Sequence, residues 1–495
     1  MIPVDAGTRP TRRSFLAGAA ALAGALATSL PSAAAVSVGP RKLRELERRL
    51  PGRIVLPDDP NFARLARPQN LAYADRLPAA IARCRNAGDV AAAIDWCREF
   101  DVPLAPRGGG HSYAGYSTTR GLLIDLAGMN AASFDRKTGV LRLSGGSVNA
   151  QLYAALEAEG VAITHGRCLT VGAAGFLLGG GIGFNMRGHG VGSDQLLATE
   201  LVTADGRLRR ADAGRHPDLF WACRGGAGRN FGISTAFSLQ TYPVGDLVVF
   251  DLVFEKRPLA LLDALLPALD SGPEGLGVTV SIEAVTPAER ASGEDVTIFV
   301  FGQFAGRRRA LADILAPAYA IARPSYEKIE TMSYWEAQRY LAEAGAANAY
   351  HDNSRFWQRT PEKPDLEALL DRLRAFPGTS RYAYLSLFLT GGVMNAPSPD
   401  ATAFVHRDSR WLVATSISWG KEDDEPTIRH AKSWQRQLYE LVAGLGEGAF
   451  QNFPDRWLDD WARQYYGVNL PRLRKIKADV DPGQLFRFGQ SIPPA

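Results

Sequence analysis

The sequence predicts an α+β protein, and three observations carry that prediction. Between Leu77 and residue 245, stretches of strand character and stretches with helical apolar spacing are intermixed. Beyond about residue 245 the text changes to alternating runs, "DLVVFDLVFE", "EDVTIFVFGQF", "SRYAYLSLFLTGG" and "SRWLVATSISWG". These read as strands of an antiparallel sheet with helices such as "PLALLDALLPAL" between them. Finally, the chain has 495 residues, 46% hydrophobic and 22% charged, with no long low-complexity run and no internal repeat. That is enough to bury the cores of two or three domains.

In chain order, residues 1–35 are read as lying outside the fold. Arg12 and Arg13 precede Phe15 and Leu16, an Ala/Gly-rich apolar stretch, and Ala33-x-Ala35. This segment resembles a twin-arginine (Tat) export signal cleaved after Ala35. A membrane anchor is the alternative, but Phe15 to Leu30 falls short of the ~20 residues a spanning helix needs. Tat export implies the Tat machinery as a partner, a periplasmic or extracellular destination, and a cofactor loaded before passage. No later segment is long and apolar enough to span a bilayer, so no stable membrane association is expected.

Residues 36–67 are taken as an N-terminal extension, followed by a first domain over 68–245. Within it, "LPAAIARCRNAG" predicts a short helix ending at Asn86–Gly88, and Asp89 is taken to cap a second one with apolar spacing at Val90, Ile94 and Cys97. Strands are expected at "VPLAP", "GLLIDL", "GVLRLSGG" and "VAITHG", and an amphipathic helix at "NAQLYAALEAEG" stopped by Gly160. "ATELVTADGRLRRA" reads as strand, Asp-Gly turn, strand. A second domain is placed at 246–450, and 451–495 holds a helix and an ordered proline-rich end.

Net charge is +4, and the signal segment carries Arg9, Arg12 and Arg13 against Asp5, leaving about +2 on the mature chain, no basis for a nucleic-acid partner. Four cysteines, Cys84, Cys97, Cys168 and Cys223, are too few and too scattered for a disulfide scaffold or zinc cluster. Cys84 and Cys97 are expected to be buried. No metal site is expected: His111 has no carboxylate or imidazole at ligand spacing.

Two glycine clusters remain. "RGGGHSYAGYS" (107–117) strips the backbone of side chains just before His111, and "GRCLTVGAAGFLLGGGIGF" does the same around Cys168. Consecutive glycines leave N–H groups able to nest around a diphosphate, and a tight turn is the bland alternative. No intact G-x-G-x-x-G opens a helix and no G-x-x-x-x-G-K-[ST] is present, so neither a Rossmann nor a Walker site is supported. His165 with Cys168 could also be a thiol nucleophile and its base, though no third orienting group lies nearby in sequence.

Both clusters, with "FWACRGGAGRNFGISTAF" and "YYGVNLPRLRKIKADVDPGQLFRFGQSI", resemble the berberine bridge enzyme-like family of FAD-linked oxidases, within the vanillyl alcohol oxidase superfamily. The resemblance covers nearly the whole mature chain. It implies a PCMH-type FAD-binding domain of two subdomains, completed by 451–495, and a substrate domain whose sheet faces the flavin. It places His111 where the family bonds the flavin 8α-methyl and Cys168 where it bonds C6, which raises the reduction potential of the flavin. It further implies flavin contacts from Arg107, Gly108, Gly109, Gly110, Ser112, Val171, Gly172, Gly175, Gly181, Gly232, Ile233, Tyr466 and Asn469. Val171 stands where a small residue accompanies use of dioxygen.

The chain departs from the family where tyrosines accept the substrate proton: Ile182, Phe450 and Phe453 stand at those positions. A phenyl ring cannot accept a proton. Tyr113 is the first replacement candidate and Tyr466 the second. The substrate wall is expected from Tyr382, Tyr384, Ser416, Ser418 and Trp419, alternation putting Ser416 and Ser418 on one face. His406 and His351 are read as structural rather than basic. The expectation is a secreted oxidase of a small organic alcohol, a sugar or secondary metabolite, giving hydrogen peroxide. A dehydrogenase with another acceptor, a non-catalytic flavin-loaded binding protein and a Cys168-dependent hydrolase are the alternatives.

Overall fold

The computed structural model describes residues 38–343, 345–378 and 383–495. The expected export signal and Tyr382 therefore lie outside the described residues. The first sheet holds β1 (Ile54–Val55), β2 (Ala80–Arg83), β3 (Leu104–Arg107) and β4 (Leu122–Asp125) in the order β1-β2-β4-β3. β4 runs parallel to β2 and β3, and β1 pairs antiparallel with β2.

Two expectations change here. Residues 80–83 form a strand, not a helix: Ala80, Ile81 and Ala82 are all buried, between two separate hydrophobic clusters. A consecutive buried run suits a strand covered on both faces and not a one-sided helix. The cap of the helix Ala87–Phe100 is Asn86, whose side chain accepts from Asp89 N–H at 2.9 Å. The supposed N-terminal extension is also part of this subdomain. The helix Pro40–Arg49 lays Leu46 on the cluster containing Val90, Ile94 and Cys97, and Phe62–Ala66 covers the opposite face.

The second sheet comprises β5 (Ala132–Asp135), β6 (Val140–Ser144), β8 (Leu196–Val202), β9 (Leu208–Asp212) and β10 (Ile233–Gln240), all antiparallel, with β7 (Val161–Ala162) and β11 (Tyr242–Pro243) forming a short ribbon beside it. The third is a seven-stranded antiparallel sheet of β12 (Leu247–Phe254), β13 (Leu276–Glu283), β14 (Thr297–Phe304), β15 (Tyr326–Met332), β16 (Ala349–Trp357), β17 (Ala383–Leu389) and β18 (Trp411–Trp419). Its order is β15-β12-β14-β13-β17-β18-β16. Apolar positions on one face pack under the helices Pro258–Asp270, Arg308–Ile321, Lys363–Arg374 and Glu425–Gly444. The other face turns toward the first two sheets. β16, "AYHDNSRFW", was not among the expected strands because its residues are too polar to show an apolar face.

After Ala449 the chain returns to the first domain. Lys477, on the helix Leu470–Val480, is 1% exposed and donates to Asp481 Oδ2 (2.6 Å), Asn230 O (2.7 Å) and Phe486 O (3.2 Å). Asp481 also accepts from the N–H groups of Leu485 and Phe486. No helix among the described residues is long and apolar enough to cross a membrane. Removing the ammonium strands a buried carboxylate, so Lys477→Ala is expected to cost about 3–5 kcal/mol, read as a lowered urea midpoint.

Candidate active site

The first two sheets and the inner face of the third enclose a cavity of about 730 Å³. Both glycine clusters border it. At the base of the first, the Arg107 guanidinium bonds Leu65 O (2.7 Å), Ala66 O (2.9 Å), Arg67 O (3.3 Å) and Ser117 O (2.9 Å). Arg107 therefore satisfies the carbonyls at the end of Phe62–Ala66 and does not face the cavity, contrary to its expected cofactor contact. Gly108, Gly109, Gly110, His111 and Ser112 do line it. The N–H groups of Gly109, Gly110 and His111 find no acceptor among the described residues, which leaves three adjacent donors for an anionic ligand. A Cβ on Gly109 would lie 2.3 Å from Thr170 O and 2.4 Å from Gly172 N, so the two loops approach each other backbone to backbone.

That approach brings His111 and Cys168 to one hydroxyl. His111 Nε2 lies 2.9 Å from Thr170 Oγ1, and Cys168 Sγ lies 3.5 Å from it. Burial lowers the His111 pKa to about 4, against a smaller opposing effect of Glu343, so the imidazole is neutral at pH 7. Burial likewise pushes the Cys168 thiol up. His165 cannot serve as its base: its ring nitrogens are taken by Gly166 O (3.0 Å) and Tyr334 Oη (2.7 Å), and it stacks on Trp335.

Of the residues expected to touch the flavin, Val171, Gly172, Gly175, Gly232 and Ile233 line the cavity. Two expected contacts do not. Gly181 is at φ +84° and packs against the Phe176 ring, and Asn469 Nδ2 is spent on Pro399 O (2.7 Å) and Thr402 O (3.0 Å). Tyr466 lines the cavity, but its hydroxyl is 3.4 Å from Gly226 O and burial holds the phenol well above its usual range, so it forms wall and not base.

Register builds the opposite wall. Asp352 on β16 pairs with Ser416 on β18, Ser416 with Tyr384 on β17, and Tyr384 with Glu283 on β13. All four line the cavity as one row across the sheet. Ser418 and Trp419 line it too, so Ser416 and Ser418 do share a face. Ser416 stands between Asp352 and Tyr384 in the sheet, and its hydroxyl lowers the pKa of both. Burial raises the Asp352 carboxyl to about 6, against smaller lowering effects of Ser416 and His351.

Tyr113 sits above this row, stacked on Phe453 (centroids 4.8 Å, 21°) and edge-on to Tyr350 (5.3 Å). Burial first, then the nearby Asp352 and tyrosines, push its phenol well above the usual value. Ile182, Phe450 and Phe453 supply apolar wall. Asn70, fully buried, ties the two sides together by donating to Tyr113 O (2.9 Å) and Tyr350 O (3.0 Å). His351 is bound between Gln435 and Asp455, and His406 is stacked on Phe356 with its pKa lowered to about 3 by burial; both are structural. Asp352, Glu283, Tyr350 and Thr170 were not anticipated. The available signal was an aspartate inside a strand-like segment, where that residue is disfavoured unless it has work to do. Among the described residues no group of His, Cys, Asp and Glu could hold a metal ion.

Comparison with known proteins agrees with this geometry. Residues 78–212 match the family described as "FAD binding domain", and 449–493 match "Berberine and berberine like". The chain is 31% identical over 457 residues to the FAD-linked oxidoreductase YgaK of Bacillus subtilis, covering 90% of this chain and 98% of that one. It is 28% identical to the xylooligosaccharide oxidase of Thermothelomyces thermophilus, over 86% of this chain and 89% of the other. Among solved structures, glucooligosaccharide oxidase from Acremonium strictum, with its 6-S-cysteinyl, 8α-N1-histidyl FAD, superposes with a TM-score of 0.81 at 24% identity, covering 91% of this chain and 99% of that one. The three unpaired N–H groups, the glycine cradle and the cavity volume fit a dinucleotide. Gly109→Ala places a methyl against backbone on both sides, so the purified variant is expected to fold but lose FAD, seen as loss of visible flavin absorbance with an unchanged far-ultraviolet spectrum.

Proposed function

Because the chain belongs to the berberine bridge enzyme-like family of FAD-linked oxidoreductases, we propose that it is an oxidase of small organic alcohols whose FAD is tethered at both His111 and Cys168. Its acceptor is dioxygen, its second product is hydrogen peroxide, and it works outside the cytoplasm after Tat export. The observation that carries this reading is the convergence of His111 and Cys168 on the Thr170 hydroxyl, at 2.9 and 3.5 Å. A neutral imidazole has a free lone pair for attachment, and two tethers on separate loops keep the cofactor with a secreted protein. Bound FAD supplies the hydride acceptor.

The chain supplies the rest. Asp352, whose carboxyl burial raises to about 6 and whose charge acts on Tyr113, is ionised at pH 7, and its carboxylate takes the proton from the substrate hydroxyl. Ser416 holds that carboxylate and couples it to Tyr384. Tyr113, kept as a neutral phenol, donates a hydrogen bond to the substrate oxygen and is not itself the base. Asp352 thus fills the role left by Ile182, Phe450 and Phe453, whose side chains exclude water. Val171, bordering the cavity three residues after Cys168, leaves room for dioxygen.

Two outcomes test this. Acid-precipitated wild type is expected to stay yellow, His111→Ala and Cys168→Ala each to retain one attachment, and the double variant none; covalent flavin in the double variant would reassign the tethers. In a panel of sugars and alcohols followed by peroxide release, kcat/KM is expected to rise as pH climbs through about 6, where Asp352 gains its basic form. Asp352→Asn is expected to lose that inflection and about 100-fold or more in rate.

A further inference from the structure

Among the described residues the cavity is lined by one carboxylate, Glu283, that is used neither by the proposed reaction nor by an ion pair. Thr279, Ser281 and Glu283 alternate along β13 and all line the cavity. Ser281 Oγ is bonded to Ser386 Oγ at 2.8 Å. Thr279, 1% exposed, has a hydroxyl with no partner among the described residues, and Glu283 has no hydrogen bond or ion pair among them. The neighbours facing Glu283 are Tyr384 from β17, Thr297 from β14 and Glu289 from the helix Pro287–Ala291. None of these is cationic.

The other charges bordering the cavity are already matched. Arg167 pairs with Glu343 at 2.6 Å and lies over the rings of Phe184 and Phe301. Arg229 bonds the carbonyls of Leu104, Tyr116 and Arg487. Asp352 is held by Ser416. An unpaired, largely buried carboxylate is costly, and burial, with a smaller push from Glu289, raises Glu283 to about 7. A cationic ligand group relieves that cost, whereas an anionic one adds to it.

We propose that Glu283 forms a subsite for a protonated amino group carried by the substrate away from its reacting hydroxyl. The preferred substrates are then amino alcohols or amino sugars and not their neutral counterparts. The subsite lies three strands from Asp352 along the row through Ser416 and Tyr384, about 14 Å between backbones at the usual strand spacing. The reacting carbon and the ammonium group are therefore on opposite sides of Tyr384. This inference rests on the hydroxyl-oxidation reading for its account of turnover but not for its account of binding.

Matched pairs that can span this separation test it on the FAD-loaded protein: aminohexanol against hexanediol, and aminooctanol against octanediol. Calorimetric affinity and kcat/KM by peroxide release are measured for wild type and Glu283→Gln. In wild type the ammonium compound of at least one pair is expected to bind more tightly by on the order of 10- to 100-fold, the range for a charge-assisted hydrogen bond. In Glu283→Gln that ratio is expected to collapse toward one, through KM and not kcat. Equal affinity for both members of each pair in wild type overturns the proposal. So does a ratio that survives in Glu283→Gln. If no compound reduces the flavin, hydroxyl oxidation fails, and the calorimetric ratio alone decides the subsite.

Discussion

Gly109 and Gly172 meet so closely that neither position has room for a Cβ, and the rest of the site depends on that contact. It sets His111 and Cys168, 57 residues apart in sequence, against the same threonine. The Gly109 loop carries a run of N–H groups without acceptors among the described residues. A side chain at either position would push the two loops apart. The bare backbone is thus a geometric requirement of a double tether as well as an anion nest.

The cradle is useful only if the sheet wall is held at a fixed distance from it, and buried polar clamps do this. Asn70 joins the Tyr113 loop to β16. Arg407 makes a two-pronged pair with Asp194, at 2.7 and 2.8 Å, and also bonds Met394 O and Thr402 Oγ1. Lys477 and Asp481 fasten the returning tail onto Asn230 and Phe486. Each of these groups is costly to bury alone, so each specifies one arrangement of distant segments. The active-site groups share this economy: Asp352 has its serine, Tyr113 its aromatic neighbours, and Arg167 its glutamate. Glu283 breaks the pattern, which is why it points to a ligand.

Local chemistry was legible wherever it repeats at short range. The glycine runs, the helix Ala87–Phe100 and the alternating strands β12, β14, β17 and β18 could all be read from their own residues. Side chains whose job is to bond carbonyls far away could not. Arg107 and Asn469 sit in flavin-family motifs, but their donors serve Leu65–Arg67 and Pro399–Thr402. Asp352 escaped notice because the segment 349–357 is polar on both faces. One face is bonded to the helix Glu425–Gly444 through His351 and Gln435, and the other lines the cavity.

By itself, then, the sequence determined the fold class and the two glycine loops that carry His111 and Cys168, because glycine strings and hydrophobic periodicity act over a few residues. The tertiary structure alone decided that residues 40–67 belong to the first subdomain and that Tyr466 is wall. It alone placed Asp352, Ser416, Tyr384 and Glu283 in one row. Those four residues lie far apart in the chain, and only hydrogen-bond register between strands brings them together.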